Sequence, residues 1–337
     1  MKSAGAILSR RDRRPDTRNR VRIRLKIGLF VLVLAIVCYF VGRSIWEQWG
    51  VIRAYSWQPH FWWLICSAAV MWLDFLLIIR LWRVLLVTVT GRQLRFGAAL
   101  RITALSNLGK YVPGKIWSVM GIIYMLRQRG YPAPAALSST ILHQAFTIIA
   151  GAAFIIAVLG HELFKGALTV PLTLVCALCI AVLYPPIFSR ILNWGLRLIK
   201  REPVTFQLTF GKAVGLFGAY VVAWIVYGIS FWCLLKGIGI QPPAFWETVA
   251  SFGGAYLLGF LALFAPGGLG VREGILAMLL APQLSPGLAA FVAVISRFWM
   301  TILELTQLIP LAFGWGRPPA GDDSVAPLSP RKPSKTI

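Results

Sequence analysis

The amino-acid sequence predicts an all-α polytopic membrane protein, with about six transmembrane helices and two broken, re-entrant helical hairpins arranged as an inverted repeat. Three observations carry this prediction. Hydrophobic residues make up 58% of the 337 positions and charged residues only 13%, a balance well to the apolar side of soluble proteins. The apolar residues fall into runs of about 20, the length that a bilayer core requires. Two of these stretches are interrupted near their middles by glycine, proline and basic residues, which simple spans do not carry.

Taken in order, the chain opens with a basic arm, residues 1–26, that holds ten of the 34 Lys and Arg. Such an arm beside a membrane helix is a topology signal and a contact for anionic lipid head groups. The net charge of +23 is therefore not read as a nucleic-acid footprint, because no recognition fold follows the arm. The next run, Ile27 to Gly42, ends at Arg43 without a small-residue cleavage site and is expected to stay as the first span. Uncharged or nearly uncharged runs at about 25–46, 61–80, 135–160, 166–187, 213–235 and 287–314 supply the six spans. The transmembrane unit is thus 27–314, and the proline-rich residues 315–337 read as a disordered cytoplasmic tail. All five cysteines (Cys38, Cys66, Cys176, Cys179 and Cys233) lie in apolar runs and are read as small packed hydrophobes.

Lys and Arg collect in short cytoplasmic loops. Five arginines and no acid occur from Arg80 to Arg101, and five basic residues accompany Glu202 between Arg190 and Lys212, so both segments are placed in the cytoplasm. The connections around Glu47, 161–165, 236–247 and 282–286 are poor in basic residues and face outward. This count puts both termini in the cytoplasm of a multi-pass protein of the cytoplasmic membrane. It also requires that 102–126 enter from the cytoplasm, break at Pro113-Gly114 and return. The stretch 248–281 is expected to do the same from outside, with a pair of short true spans as the other arrangement that preserves the count. The halves, about 61–160 and 213–314, then share one plan in opposite orientation.

The breaks carry the candidate site. Proline suits the first turn of a helix, and glycine lets backbone approach a ligand closely. A half-helix that starts in mid-membrane presents unpaired N–H groups and partial positive charge, which favour an anion. Paired breaks in the two halves of a membrane protein point to a midplane binding site. Lys110, Pro113, Gly114 and Lys115 belong to the first break. Pro266, Gly267, Gly268, Gly270, Arg272 and Glu273 belong to the second. From Thr248 to Ser296 the only charges are Arg272 and Glu273. Arg297 and Glu304 share one face of the last span, and an intramembrane charge is expected to look into the bundle. They could pair with Arg272 and Glu273 as structural charges or contact a substrate. An anionic head group is the expected ligand, with Arg272 neutralising it and Glu273 holding Arg272 or Arg297. Asp74 is expected to pair with Arg80 or a hairpin lysine, and His143 to pack. Neither a nucleophile elbow, a phosphate-binding Walker loop nor metal-ligand spacing occurs, so no enzyme activity, cofactor or metal is expected.

The stretches "SNLGKYVPGKIW" (106–117) and "APGGLGVREG" (265–274), followed by Arg297, resemble the membrane region of lysylphosphatidylglycerol synthases and related stand-alone flippase-like proteins. The resemblance covers about residues 25–314. It implies a role in translocating or handling a lipid, and it selects Pro113, Gly114, Pro266, Gly267, Gly268, Gly270, Arg272, Glu273 and Arg297. The first motif reads "PGKIW" where many relatives are richer in glycine, which leaves phospholipids, polyprenyl-phosphate-linked sugars and related lipids open as substrates. A soluble aminoacyl-transfer domain, which follows the membrane region in the bifunctional members, has no counterpart in the short tail after Gly316. Two functions follow: translocation of an anionic or lipid-linked substrate, or a non-transporting subunit that anchors or regulates a lipid-modifying or glycosylating enzyme.

Overall fold

A computed structural model describes residues 46, 49–55, 57–111, 116–163, 174, 177, 181, 184–198, 208–262 and 268–315. The basic arm, most of the expected spans 25–46 and 166–187, Cys38, Cys176, Cys179 and the tail beyond 315 lie outside the described residues. So do Pro113, Gly114, Lys115, Pro266 and Gly267.

Among the described residues all regular structure is helical: α1 (Trp49–Ala54), α2 (Phe61–Thr90), α3 (Phe96–Asn107), a 3-10 turn (Leu108–Tyr111), α4 (Ile116–Arg127), α5 (Ala133–Leu163), α6 (Pro185–Leu198), α7 (Phe210–Gly237), α8 (Phe245–Leu261), α9 (Val271–Leu280), α10 (Pro286–Thr306) and α11 (Ile309–Ala312). Four segments are long and apolar enough to cross a membrane: Phe61–Thr90, Ala133–Gly160, Phe210–Gly237 and Pro286–Ala312. They correspond to four of the six expected spans.

The first of these outruns its expected end at about residue 80. Two faces of α2 remain buried beyond that point. Leu81, Leu85 and Val89 join the main core, while Trp82 and Leu86 pack with Leu94, Leu100, Ile102 and Leu126. Arg83, which reads as part of a loop, stays on the helix and donates from Nε to the Leu94 carbonyl at 2.8 Å. Gly91 ends α2 in the left-handed region, with its N–H on the Val87 carbonyl. The first broken stretch accordingly begins at Phe96 rather than near residue 102.

Hydrogen bonds between helices fix their directions. Ser67 Oγ donates to the Ser230 carbonyl at 2.7 Å, and Ser230 Oγ donates to the Ser67 carbonyl at 2.8 Å. The Cys66 and Cys233 sulfurs lie 3.6 Å apart, and the His60 N–H meets the Gly237 carbonyl. Partner numbers rise on α2 as they fall on α7, so these helices are antiparallel. Trp299 Nε1 donates to Ser67 Oγ and Trp72 Nε1 to Thr306 Oγ1, which makes α2 and α10 parallel. His143 Nδ1 and Tyr220 Oη are 2.6 Å apart, and Trp224 Nε1 donates to the Thr147 carbonyl. Helices α5 and α7 are therefore parallel as well. The order long helix, short pair, long helix occurs twice, and each long helix runs opposite to its counterpart.

Between α2 and α5 lies a helical hairpin. Gly109 packs on Trp117 and Ser118, and Gly121 packs on Ser106, which sets α3 against α4 in opposite directions. Helices α8 and α9 form a second hairpin, with Gly259 on Arg272 and Gly254 facing Leu279. At 12 residues, α3 and α4 are each about 18 Å long, and α9 at 10 residues is about 15 Å. Each is shorter than the roughly 30 Å hydrocarbon core.

Candidate functional site

The two hairpin breaks are joined through one face of α10. Arg297 and Glu304 stand two helical turns apart on it. Glu304 forms an ion pair with Lys110, in the 3-10 turn of the first hairpin. Arg297 Nε lies 3.6 Å from Glu273 Oε1, in the first turn of α9 in the second hairpin. Glu273 reaches back with Oε2 to accept the Gly270 N–H at 2.7 Å, closing a capping arrangement on α9. The second break needs its glycines. Gly268 has φ +71°, and a Cβ there would sit 2.8 Å from the Gly259 carbonyl oxygen, a backbone atom that cannot turn aside.

Arg272 lies elsewhere than expected. Its side chain is 3% exposed. The guanidinium Nη2 donates to Tyr227 Oη at 2.8 Å, and its carbon stands 4.8 Å from the Phe252 ring centroid and 5.2 Å from that of Tyr256. Tyr227, Phe252 and Phe231 stack in succession with centroids 4.8 Å and 4.3 Å apart. A guanidinium flanked by aromatic faces gains cation–π attraction where water is excluded. This sequestered cation supports the tyrosines and does not line the cavity beside them. The choice left open for Glu273 falls to Arg297, and Arg272 takes Tyr227 in its place.

That cavity has a volume of about 200 Å³. Asn107 and Lys110 from the first hairpin reach it, as do Tyr256, Leu257 and Phe260 from the second, with Glu304 from α10. Asp74 on α2, His143 and Gln144 on α5, and Trp224 and Tyr227 on α7 complete its polar wall. Of the residues selected from the sequence, Lys110 and Glu304 therefore face the cavity. Gly268, Gly270, Arg272, Glu273 and Arg297 form the support behind it, and the remaining selected residues lie outside the described ones.

Asp74 departs from both expected pairings. It is 6% exposed and lines the cavity, while Lys110 pairs with Glu304 and Arg80 is exposed. His143 is packed as expected, bonded to Tyr220. The sequence reading missed Tyr227, Phe252 and Tyr256. Their signal is the aromatic spacing on two separate helices, Tyr227 with Phe231 and Phe252 with Tyr256, each pair one turn apart.

With this geometry established, comparison with known proteins identifies a family. The family described as the lysylphosphatidylglycerol synthase TM region matches residues 23–306. The chain belongs to that family, which points to a membrane protein acting on lipids. No curated protein matches it.

Proposed function

We propose that this member of the lysylphosphatidylglycerol synthase transmembrane family binds the head group of a phosphate-bearing or lipid-linked membrane lipid in the cavity between its hairpins, and carries it across the cytoplasmic membrane. The observation that carries the reading is the cavity itself, to which both hairpins contribute and in which Lys110 is the basic residue. A lipid whose head group occupies such a space keeps its acyl chains in the bilayer, so only the polar part has to be sheltered.

The helix directions support re-entrant hairpins and an inverted repeat. Because α5 runs opposite to α2, the segment between them leaves from the same end of the bundle that it enters. A single crossing there would make α2 and α5 parallel. The same holds for α8 and α9 between α7 and α10, and an odd number of crossings is again disfavoured. Two units of opposite orientation around one site are the architecture that alternating access uses.

Within the cavity Lys110 is the counter-charge for phosphate, and Glu304 holds it when phosphate is not there. Arg272 is a positioning residue, since it acts through Tyr227. The test is reconstitution of purified protein into liposomes containing phosphatidylglycerol with a reducible fluorescent label on its head group. Protein-dependent movement of label between leaflets, reduced at least tenfold by Lys110→Met, is expected. Equal movement in protein-free liposomes would overturn the transport reading and favour the non-transporting subunit.

A further inference from the structure

Asp74 is a carboxyl group in the middle of a long apolar helix, more than nine-tenths buried, and its side chain faces the cavity. Among the described residues no side chain or backbone group pairs with it. Every other polar group that faces it from the surrounding helices is already engaged or uncharged. Lys110 is held by Glu304, His143 by Tyr220, and the Tyr227 hydroxyl receives the Arg272 guanidinium. Tyr256 adds a further aromatic wall. A buried charge is stable only beside an opposite charge or a set of donors, and the alternative open to a carboxylate is to take a proton.

We infer that Asp74 is a proton-exchange group of the binding cycle: it carries a proton until a cationic group enters the cavity, and then yields the proton to water and pairs with the cation. The inference rests on the cavity's being the lipid head-group site, and it adds a proton to each binding event. Ligands with an ammonium group would exchange against this proton, whereas purely anionic head groups would leave it in place. The aromatic rings of Trp224, Tyr227 and Tyr256, which line the same cavity, would favour the ammonium as well. A site of this kind makes lipid binding respond to pH through Asp74, independently of the Lys110 ion pair.

The test uses the full-length protein in detergent with two short-chain probes, dihexanoylphosphatidylethanolamine and dihexanoylphosphatidylglycerol. Infrared difference spectra at neutral pH should show the carbonyl band of a protonated carboxyl in the wild type and its loss in Asp74→Asn. The ethanolamine lipid should abolish that band and release roughly one proton per lipid bound, and the glycerol lipid should do neither. Binding of each probe is measured separately by calorimetry. An identical carboxyl band in wild type and Asp74→Asn would overturn the inference. So would binding of the ethanolamine lipid with the band unchanged, or binding of the glycerol lipid alone, and in both of those cases the lipid-site reading stands. Failure of both probes to bind would count against both.

Discussion

The two hairpins are built to the same plan, and they treat their charges in opposite ways. In the second, ten residues of α8 are buried between Thr248 and Gly259, and Arg272 and Glu273 at the start of α9 are enclosed by aromatic rings, a capped backbone and Arg297. In the first, Leu126 is the buried residue of α4, while Ile116, Trp117, Met120 and Tyr124 are each more than half exposed. Its Lys110 faces the cavity and is held by a carboxylate on another helix. The difference teaches that a charge at a helix break can be sealed to hold the backbone or presented to a ligand. The second hairpin does the former, and under the proposed function the first does the latter.

Several substitutions can break or sharpen that contrast. The largest stability loss is expected for Gly268→Val, about 4 kcal/mol, because a β-branched residue at positive φ collides with the Gly259 backbone. Unfolding of the purified protein in mixed micelles measures it. Arg272→Ala should cost about 3 kcal/mol in the same assay, from the lost charged hydrogen bond and ring contacts. Arg272→Lys should fall between the alanine variant and wild type, since an ammonium cannot reproduce the planar stacking. Lys110→Met should cost less, about 2 kcal/mol for the broken, partly buried ion pair, while weakening phospholipid binding at least tenfold. If it destabilised the fold as strongly as Arg272→Ala, the two hairpins would not differ in role. Ile116→Ala should change stability by less than about 0.5 kcal/mol, because about two thirds of the residue is exposed.

Much of this contrast was written in the sequence, and some was not. Apolar runs gave four of the long helices, and the glycine- and proline-rich interruptions marked where the short helix pairs α3/α4 and α8/α9 lie, since each signal is local. The pairing of Glu273 was narrowed to Arg272 or Arg297, because intramembrane charges have few partners to choose from, and the fold selects Arg297. The end of α2 was misplaced because Arg80 and Arg83 read as a cytoplasmic loop, although the helix continues on the burial of Leu85, Leu86 and Val89. The aromatic cage was hidden for a different reason. Whether a guanidinium meets phosphate or tyrosine depends on which helices face it, and Tyr227 and Phe252 come from helices that only the folded bundle brings to Arg272. For the same reason Asp74 could not be separated from its expected partners.

The reciprocal serine bonds between α2 and α7 join residues 163 positions apart in the chain. During synthesis the first half therefore enters the bilayer well before its complement exists. Until then, the Ser67 hydroxyl has neither Ser230 nor Trp299 to bond with. High contact order of this kind delays the rewarded contacts until a long loop has closed. The closing of this seam is thus the step at which the two halves commit to each other, and a chain cut between residues 198 and 208 would still have to form it by association.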